Sequence, residues 1–139
     1  MLFATVASSA GAAQSAGLVK TLSGSATVVR GSSVLAVKLG QRVFPGDRIA
    51  TASTSYVGIT LRDDTRISLG PNSEFAIREF DFNPSSYAGG LFVSFINGTA
   101  RVVTGIIGKH APERLKFTTA TATIGIRGTD FIVDLGDPQ

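Results

Sequence analysis

Past Gly17, apolar side chains recur at every second position in short runs, and the runs end at Gly, Pro, Asn or Asp. Strand side chains alternate between two faces, so Ala26 and Val28 share one face, as do Ile59 and Leu61, Ile67 and Leu69, and Phe75 and Ile77. Nowhere does an i, i+3, i+4 apolar pattern run long enough to define a dominant helix. Roughly ten short strands with turns about ten residues apart predict an all-β single domain with little helix. The pattern leaves a sandwich, barrel or β-solenoid open, since no repeat is strict enough to choose a solenoid.

Turn residues fix the expected registers. Pro45-Gly46-Asp47 reads as a tight reversal, because proline presets φ and glycine accepts positive φ. Asp63-Asp64-Thr65 as a three-residue loop would set Leu61 against Ile67 and Ile59 against Leu69; a two-residue loop would set Ile59 against Ser68 and split the apolar face. Asn97-Gly98 lies between "LFVSFI" and "TARVV" and reads as a type I′ hairpin turn, pairing Phe95 with Ala100 and Val93 with Val102. The stretches Asp81 to Gly90 and Thr104 to Leu115 read as loops.

Near the C-terminus the alternation changes phase. Ile124 and Ile126 occupy even positions, whereas Phe131, Val133 and Leu135 occupy odd ones. A slip of one residue needs either an extra residue absorbed in a bulge or two separate strands. Gly128 fits the left-handed position of a bulge, with Arg127 and Thr129 beside the bend and Arg127 placed to donate to carbonyls or a carboxylate.

Composition narrows the functional classes. The 139 residues include no cysteine, which removes disulfides, thiolate metal sites and a cysteine nucleophile. Thirteen basic and ten acidic residues give a mild positive balance. The basic residues are dispersed singly from Lys20 to Arg127, so nucleic-acid binding is not expected. No charged residue precedes Lys20, and "MLFATVASSAGAAQSAG" passes from a short apolar patch into small residues with Ala10-Gly11-Ala12. Residues 1–17 therefore read as the remnant of a secretory signal, cleaved near Ala12 or Ala13, or as a flexible lead; residues 18–139 form the domain. The expected location is periplasmic or secreted. No stretch approaches the ~20 apolar residues that span a bilayer, so no transmembrane segment is expected.

Candidate chemistry is sparse. His110 is the single histidine, and no nucleophile-elbow glycine pattern surrounds a serine, so a Ser-His-Asp relay has little support. Asp63 and Asp64 suit a turn in which each accepts its own backbone donors. Glu74, Glu79, Asp81, Asp130 and Asp134 do not fall at metal-ligand spacing, and Gly105 to Gly108 lacks the lysine-serine pair of a phosphate-binding loop. No metal or cofactor is expected, and the chain reads as non-enzymatic. Tryptophan is absent; among Tyr56, Phe80, Phe82 and Tyr87, the last sits in a glycine-flanked loop and is the best candidate for an exposed interaction residue. Phe80 and Phe82 share a face that covers the edge of the core, with Asp81 opposite.

The segments "GSATVVRG", "LGQRVFPGDRIATAS", "GITLRDDTRISLGPNSEFAI", "LFVSFINGTARVVTG" and "FTTATATIGIRGTDFIV" occur in that order and resemble successive segments of the FecR domain, the periplasmic domain type of bacterial iron-uptake signalling proteins. The resemblance spans Gly24 to Leu135. It implies an exported all-β domain, a twisted solenoid-like or sandwich-like stack of short strands, that works by protein contact in envelope signalling or assembly, with Gly46, Asp47, Asn97, Gly98, Arg127, Gly128 and Thr129 as motif positions. The sigma-factor-binding segment and membrane helix of such regulators have no counterpart here. A stand-alone relative or a fragment is therefore expected, and the sigma-regulator role is not carried over. The alternative is a cell-wall or carbohydrate-binding module.

Overall fold

In the computed structural model, which describes residues 14–124 and 130–135, the alternating segments form thirteen strands. The first are β1 (Gly17–Ser23), β2 (Ala26–Arg30), β3 (Ser33–Ala36), the two-residue β4 (Arg42–Val43) and β5 (Arg48–Thr51). There follow β6 (Tyr56–Leu61), β7 (Arg66–Leu69), β8 (Glu74–Phe82), β9 (Gly89–Asn97) and β10 (Thr99–Val103). A short helix, α1 (Ile106–His110), and a 3-10 turn (Pro112–Arg114) precede β11 (Leu115–Thr118), β12 (Thr123–Ile124) and β13 (Asp130–Asp134).

Two sheets result. One has the order β13-β10-β7-β6-β1-β4, the other β12-β11-β9-β8-β5-β2-β3. Val19, Ile59, Ile67 and Val102 from the first sheet and Val28, Ile49, Phe75 and Val93 from the second belong to one buried cluster, so the arrangement is sandwich-like. Apolar burial between the faces is the main stabilising term for such a chain. Phenylalanines run through the core: Phe75 to Phe95 at 6.4 Å, Phe95 to Phe117 at 5.9 Å, and Phe117 edge-on to Phe131 at 5.2 Å between ring centroids. The last contact joins β11 of one sheet to β13 of the other.

The alternation predicted for Ala26, Val28, Phe75 and Ile77 is observed, all four being buried. Phe80 and Phe82 are buried with Asp81 exposed, as expected. β8 itself changes phase: its pairing with β9 slips between Ile77 and Glu79, leaving Arg78 as the extra residue. The inward set moves from Phe75 and Ile77 to Phe80 and Phe82 because a bulge inserts one residue into a strand.

Three expectations need revision. In the β6–β7 hairpin Ile59 pairs with Ile67, and Leu61 N–H donates to the Thr65 carbonyl at 2.8 Å. The three-residue loop is therefore Arg62-Asp63-Asp64, with Asp64 in the left-handed region at φ 69°. The apolar face survives because the register differs by two residues and keeps its parity. Asp63 selects this loop: its buried carboxylate accepts from Thr65 N–H at 3.1 Å, Thr65 Oγ1 at 2.8 Å and Ile107 N–H at 3.3 Å.

Asn97-Gly98 is not a hairpin turn. β9 pairs with β8 and β11, whereas β10 pairs with β7 and β13 in the opposite sheet. Phe95 and Ala100 thus reach the same core from opposite sides. Gly98, at φ +79°, carries the chain across a corner where Thr99 N–H donates to Ser73 Oγ at 2.9 Å. The expected loop from Thr104 to Leu115 contains α1 and the 3-10 turn, too short for helical periodicity to show. Of the two arrangements the phase change allowed, Ile124 and Val133 show separate strands, which lie in opposite sheets; the expected bulge at Gly128, with Arg127 and Thr129 beside it, falls outside the described residues.

Gly98→Val is expected to destabilise the fold by about 3 kcal/mol, because a branched side chain is strained at positive φ and its Cβ would meet Ser73 Oγ and Asn72 O. Urea titration checks this; an unchanged midpoint would remove the corner's dependence on glycine.

Candidate functional site

The Pro45-Gly46 reversal builds the best-defined polar corner of the molecule. Asp47 N–H donates to the Phe44 carbonyl at 3.0 Å and Gly46 sits at φ +96°, a turn that proline at its second position and glycine at its third favour. The turn folds Asp47 back so that its Oδ2 accepts from Phe44 N–H at 2.8 Å. Asp47 is fully buried. Arg30, at the end of β2, supplies a two-pronged pair, Nε to Oδ1 at 2.9 Å and Nη2 to Oδ2 at 2.8 Å. The hydrogen bonds to Asp47 raise the Arg30 pKa above its ordinary value, against the opposing effect of burial.

Arg30 holds other partners too. Its guanidinium lies over the Phe44 ring, 4.7 Å from the centroid, and Nη2 donates to the Arg42 carbonyl at 3.3 Å. On the far side of the turn, Gly46 N–H donates to the Ile77 carbonyl at 2.6 Å, and Ile77 N–H to the Asp47 carbonyl at 3.0 Å. The carboxylate ties β2 to the connection after β4, and the backbone of the same turn ties that connection to the middle of β8.

Beside this corner opens a groove of about 1030 Å³, lined by Arg30, Arg42, Phe44, Pro45, Asp47 and Arg62 among others. Arg62 donates from Nε to the Ser15 carbonyl at 2.6 Å and from Nη1 to the Phe82 carbonyl at 3.4 Å, with its guanidinium 5.2 Å from the Phe80 ring centroid. Those acceptors are neutral. Among the described residues the ion pairs are Arg30–Asp47, Arg48–Glu74 and Arg101–Asp130, so Arg42 and Arg62 face the groove without a carboxylate partner.

Next to the groove, the β2–β3 hairpin presents an open sheet edge. Ser33 to Ala36 are all exposed, Val34 to 67%. Val37 N–H donates inward to the Ala26 carbonyl at 2.9 Å. By the alternation of antiparallel pairing, the N–H and C=O groups of Val34 and Ala36 point outward. The other outer strands differ: β4 and β12 have two residues each, and β13 carries Asp130 and Asp134. Charge and shortness discourage pairing; β3, with four residues, is longer than β4 and β12 and carries no charge.

The structure thus brings Gly46 and Asp47 into this corner, while Asn97 and Gly98 serve the separate corner at Ser73. Tyr87 is 44% exposed, with φ 61°, and its ring stacks near Phe82 at 6.5 Å and meets His110 at 4.9 Å. Arg30, Arg42 and Arg62 were not singled out from the sequence. A signal was present: residues 1–46 hold Lys20, Arg30, Lys38 and Arg42 and no Asp or Glu, while the remainder holds nine basic and ten acidic residues. The described residues contain no cluster of three His, Asp or Glu side chains able to hold a metal, and no helix among them is long and apolar enough to cross a membrane.

The family model described as FecR protein matches residues 47–139. The chain belongs to that family. The match begins at Asp47, so β1 to β4 precede it. No curated protein matches the chain. A solved structure of a cell surface anchoring domain is similar, with 29% sequence identity and a TM-score of 0.42, over 44% of this chain and 82% of that one.

Arg30→Ala and Asp47→Ala are each expected to lower stability by about 2–4 kcal/mol, the former because it leaves a buried carboxylate without its cation. The double variant should lose less than the sum, by about 1–2 kcal/mol. Strict additivity in denaturant melts would show that the two side chains act separately.

Proposed function

We propose that this chain is an exported, non-catalytic domain of the bacterial envelope, periplasmic or secreted, that works by binding another protein. Membership of the FecR family supports the envelope setting. The observation that carries the contact is the β3 edge: exposed backbone donors and acceptors, with Val34 and Leu35 exposed and no charged residue in the strand. An extended segment of a partner adds to such an edge as one more strand, with main-chain hydrogen bonds giving affinity and alternate side chains giving specificity. Its surroundings are acid-free in sequence from residue 1 to 46, which favours a partner segment bearing carboxylates. His110, the residue a hydrolytic relay would require, packs on Tyr87, which supports a structural role for it.

A photo-crosslinking side chain placed at Val34 should give a discrete adduct with one envelope protein in the native host, while the same group at Glu113 should not. Equal labelling from both positions, or an adduct of dimer mass containing only this chain, would overturn strand addition by a partner at β3.

A further inference from the structure

We infer that the groove bounded by Arg42, Arg62 and the Arg30–Asp47 pair binds an acidic peptide segment, its carboxylates seated on the guanidinium groups. The inference rests on the protein-docking reading and specifies the partner's chemistry. Three arginines are among the residues lining the groove, and the carboxylate among them, Asp47, is already paired with Arg30 in two-pronged geometry. Arg62 is held by the Ser15 and Phe82 carbonyls, which orient the group without neutralising it. Arg42 is exposed, and its side chain has no ion-pair or hydrogen-bond partner among the described residues. One oriented and one free positive group beside a concave surface with no local counter-charge attract an anion, and an arginine's planar fork matches a carboxylate.

The fold favours a peptide over a free phosphate. Arg30, at the groove wall, is directly paired with Ser33, the first residue of β3. The open β3 edge therefore begins where the groove ends. An extended chain laid along β3 finds main-chain partners there and positive groups at the groove, with Phe44 and Pro45 as apolar wall; an inorganic anion can use only the positive groups. Charge distribution points the same way. Lys38 follows β3 in the acid-free first 46 residues, and the carboxylate among the groove's lining residues, Asp47, is neutralised by Arg30.

The test is fluorescence anisotropy of labelled hexaglutamate with the full chain at about 20 mM salt, where exposed charges are weakly screened. Saturable binding is expected, weakened about tenfold by Arg42→Gln, the loss of one guanidinium–carboxylate contact. Lys20→Gln, on β1 and outside the groove lining, should bind as the parent does. Thermal melts of both variants should match the parent, because neither side chain has a partner to lose. No saturable binding, an unaffected Arg42→Gln, or a Lys20→Gln weakened as much as Arg42→Gln would overturn the groove assignment. Displacement by inorganic pyrophosphate at lower concentration than by unlabelled hexaglutamate would overturn the peptide in favour of a phosphate. Loss of the Val34 adduct with hexaglutamate binding intact would count against the docking reading alone; an intact adduct without hexaglutamate binding would count against the groove alone.

Discussion

A carboxylate removed from water must find partners for both oxygens, and Asp47 finds all of its partners in elements distant along the chain or across a single turn. Arg30 comes from β2, the Phe44 N–H from the turn, and the backbone on either side of Gly46 and Asp47 joins Ile77 of β8. The Pro45-Gly46 reversal is therefore more than a change of direction. It places one acid where it pins the hairpin carrying the open edge to the middle of the larger sheet. Since the Arg30 pair also orients a guanidinium over Phe44 and caps the Arg42 carbonyl, the shape of the groove depends on the same contact. Removing Arg30, whose own side chain is 38% exposed, would leave the buried Asp47 carboxylate without its cation, which costs more than losing a fully exposed pair.

Asp63 shows the same logic without a cation. Its oxygens accept from Thr65 and from the start of α1, and Thr65 Oγ1 accepts from Gly105 N–H at 3.1 Å. The β6–β7 turn thereby holds the connection between β10 and α1. Two aspartates adjacent to turns, one answered by an arginine and one by backbone donors, fix two of the corners where the chain passes from strand to strand. No buried side-chain nitrogen or oxygen among the described residues lacks a partner, as expected when polar groups specify corners and apolar ones fill the space between.

What the sequence disclosed follows from the range of each signal. Period-two alternation is local, so the inward faces of β2, β6, β7 and β8 could be read directly from Val28, Ile59, Ile67 and Phe75. Turn chemistry is local as well, and Pro45-Gly46 behaves as its residues require. Asn97-Gly98 shows where local reading stops. Glycine reports positive φ, which Gly98 has, but a hairpin and a crossing between sheets both use it. The choice was made by Ser73, which lies 25 residues earlier and whose hydroxyl receives the Thr99 N–H. Likewise the shift in β8 follows from a bulge at Arg78 that the hydrophobic pattern carries in plain form, Phe75 and Ile77 against Phe80 and Phe82. The Arg30–Asp47 pair was hidden because nothing in the spacing of an arginine and an aspartate announces a contact.

Charge taught the opposite lesson, since averaging over the whole chain concealed what position reveals. A net charge of +3 spread over 139 residues reads as mild. The first 46 residues contribute four positive charges and no negative one, and the fold gathers part of that stretch at a single end: β3 closes one sheet and β4 the other. Like charges so placed repel one another modestly in water, where exposed interactions are screened within about 8–10 Å. They impose a small cost on the isolated domain and a larger gain on any complex that brings in carboxylates while excluding solvent. On the proposed reading, an open, uncharged edge beside unneutralised arginines is a combination in which backbone pairing would supply affinity and charge would select the partner. Under that proposal acidic segments are favoured, because they would bring carboxylates to a place where Arg42 and Arg62 have none.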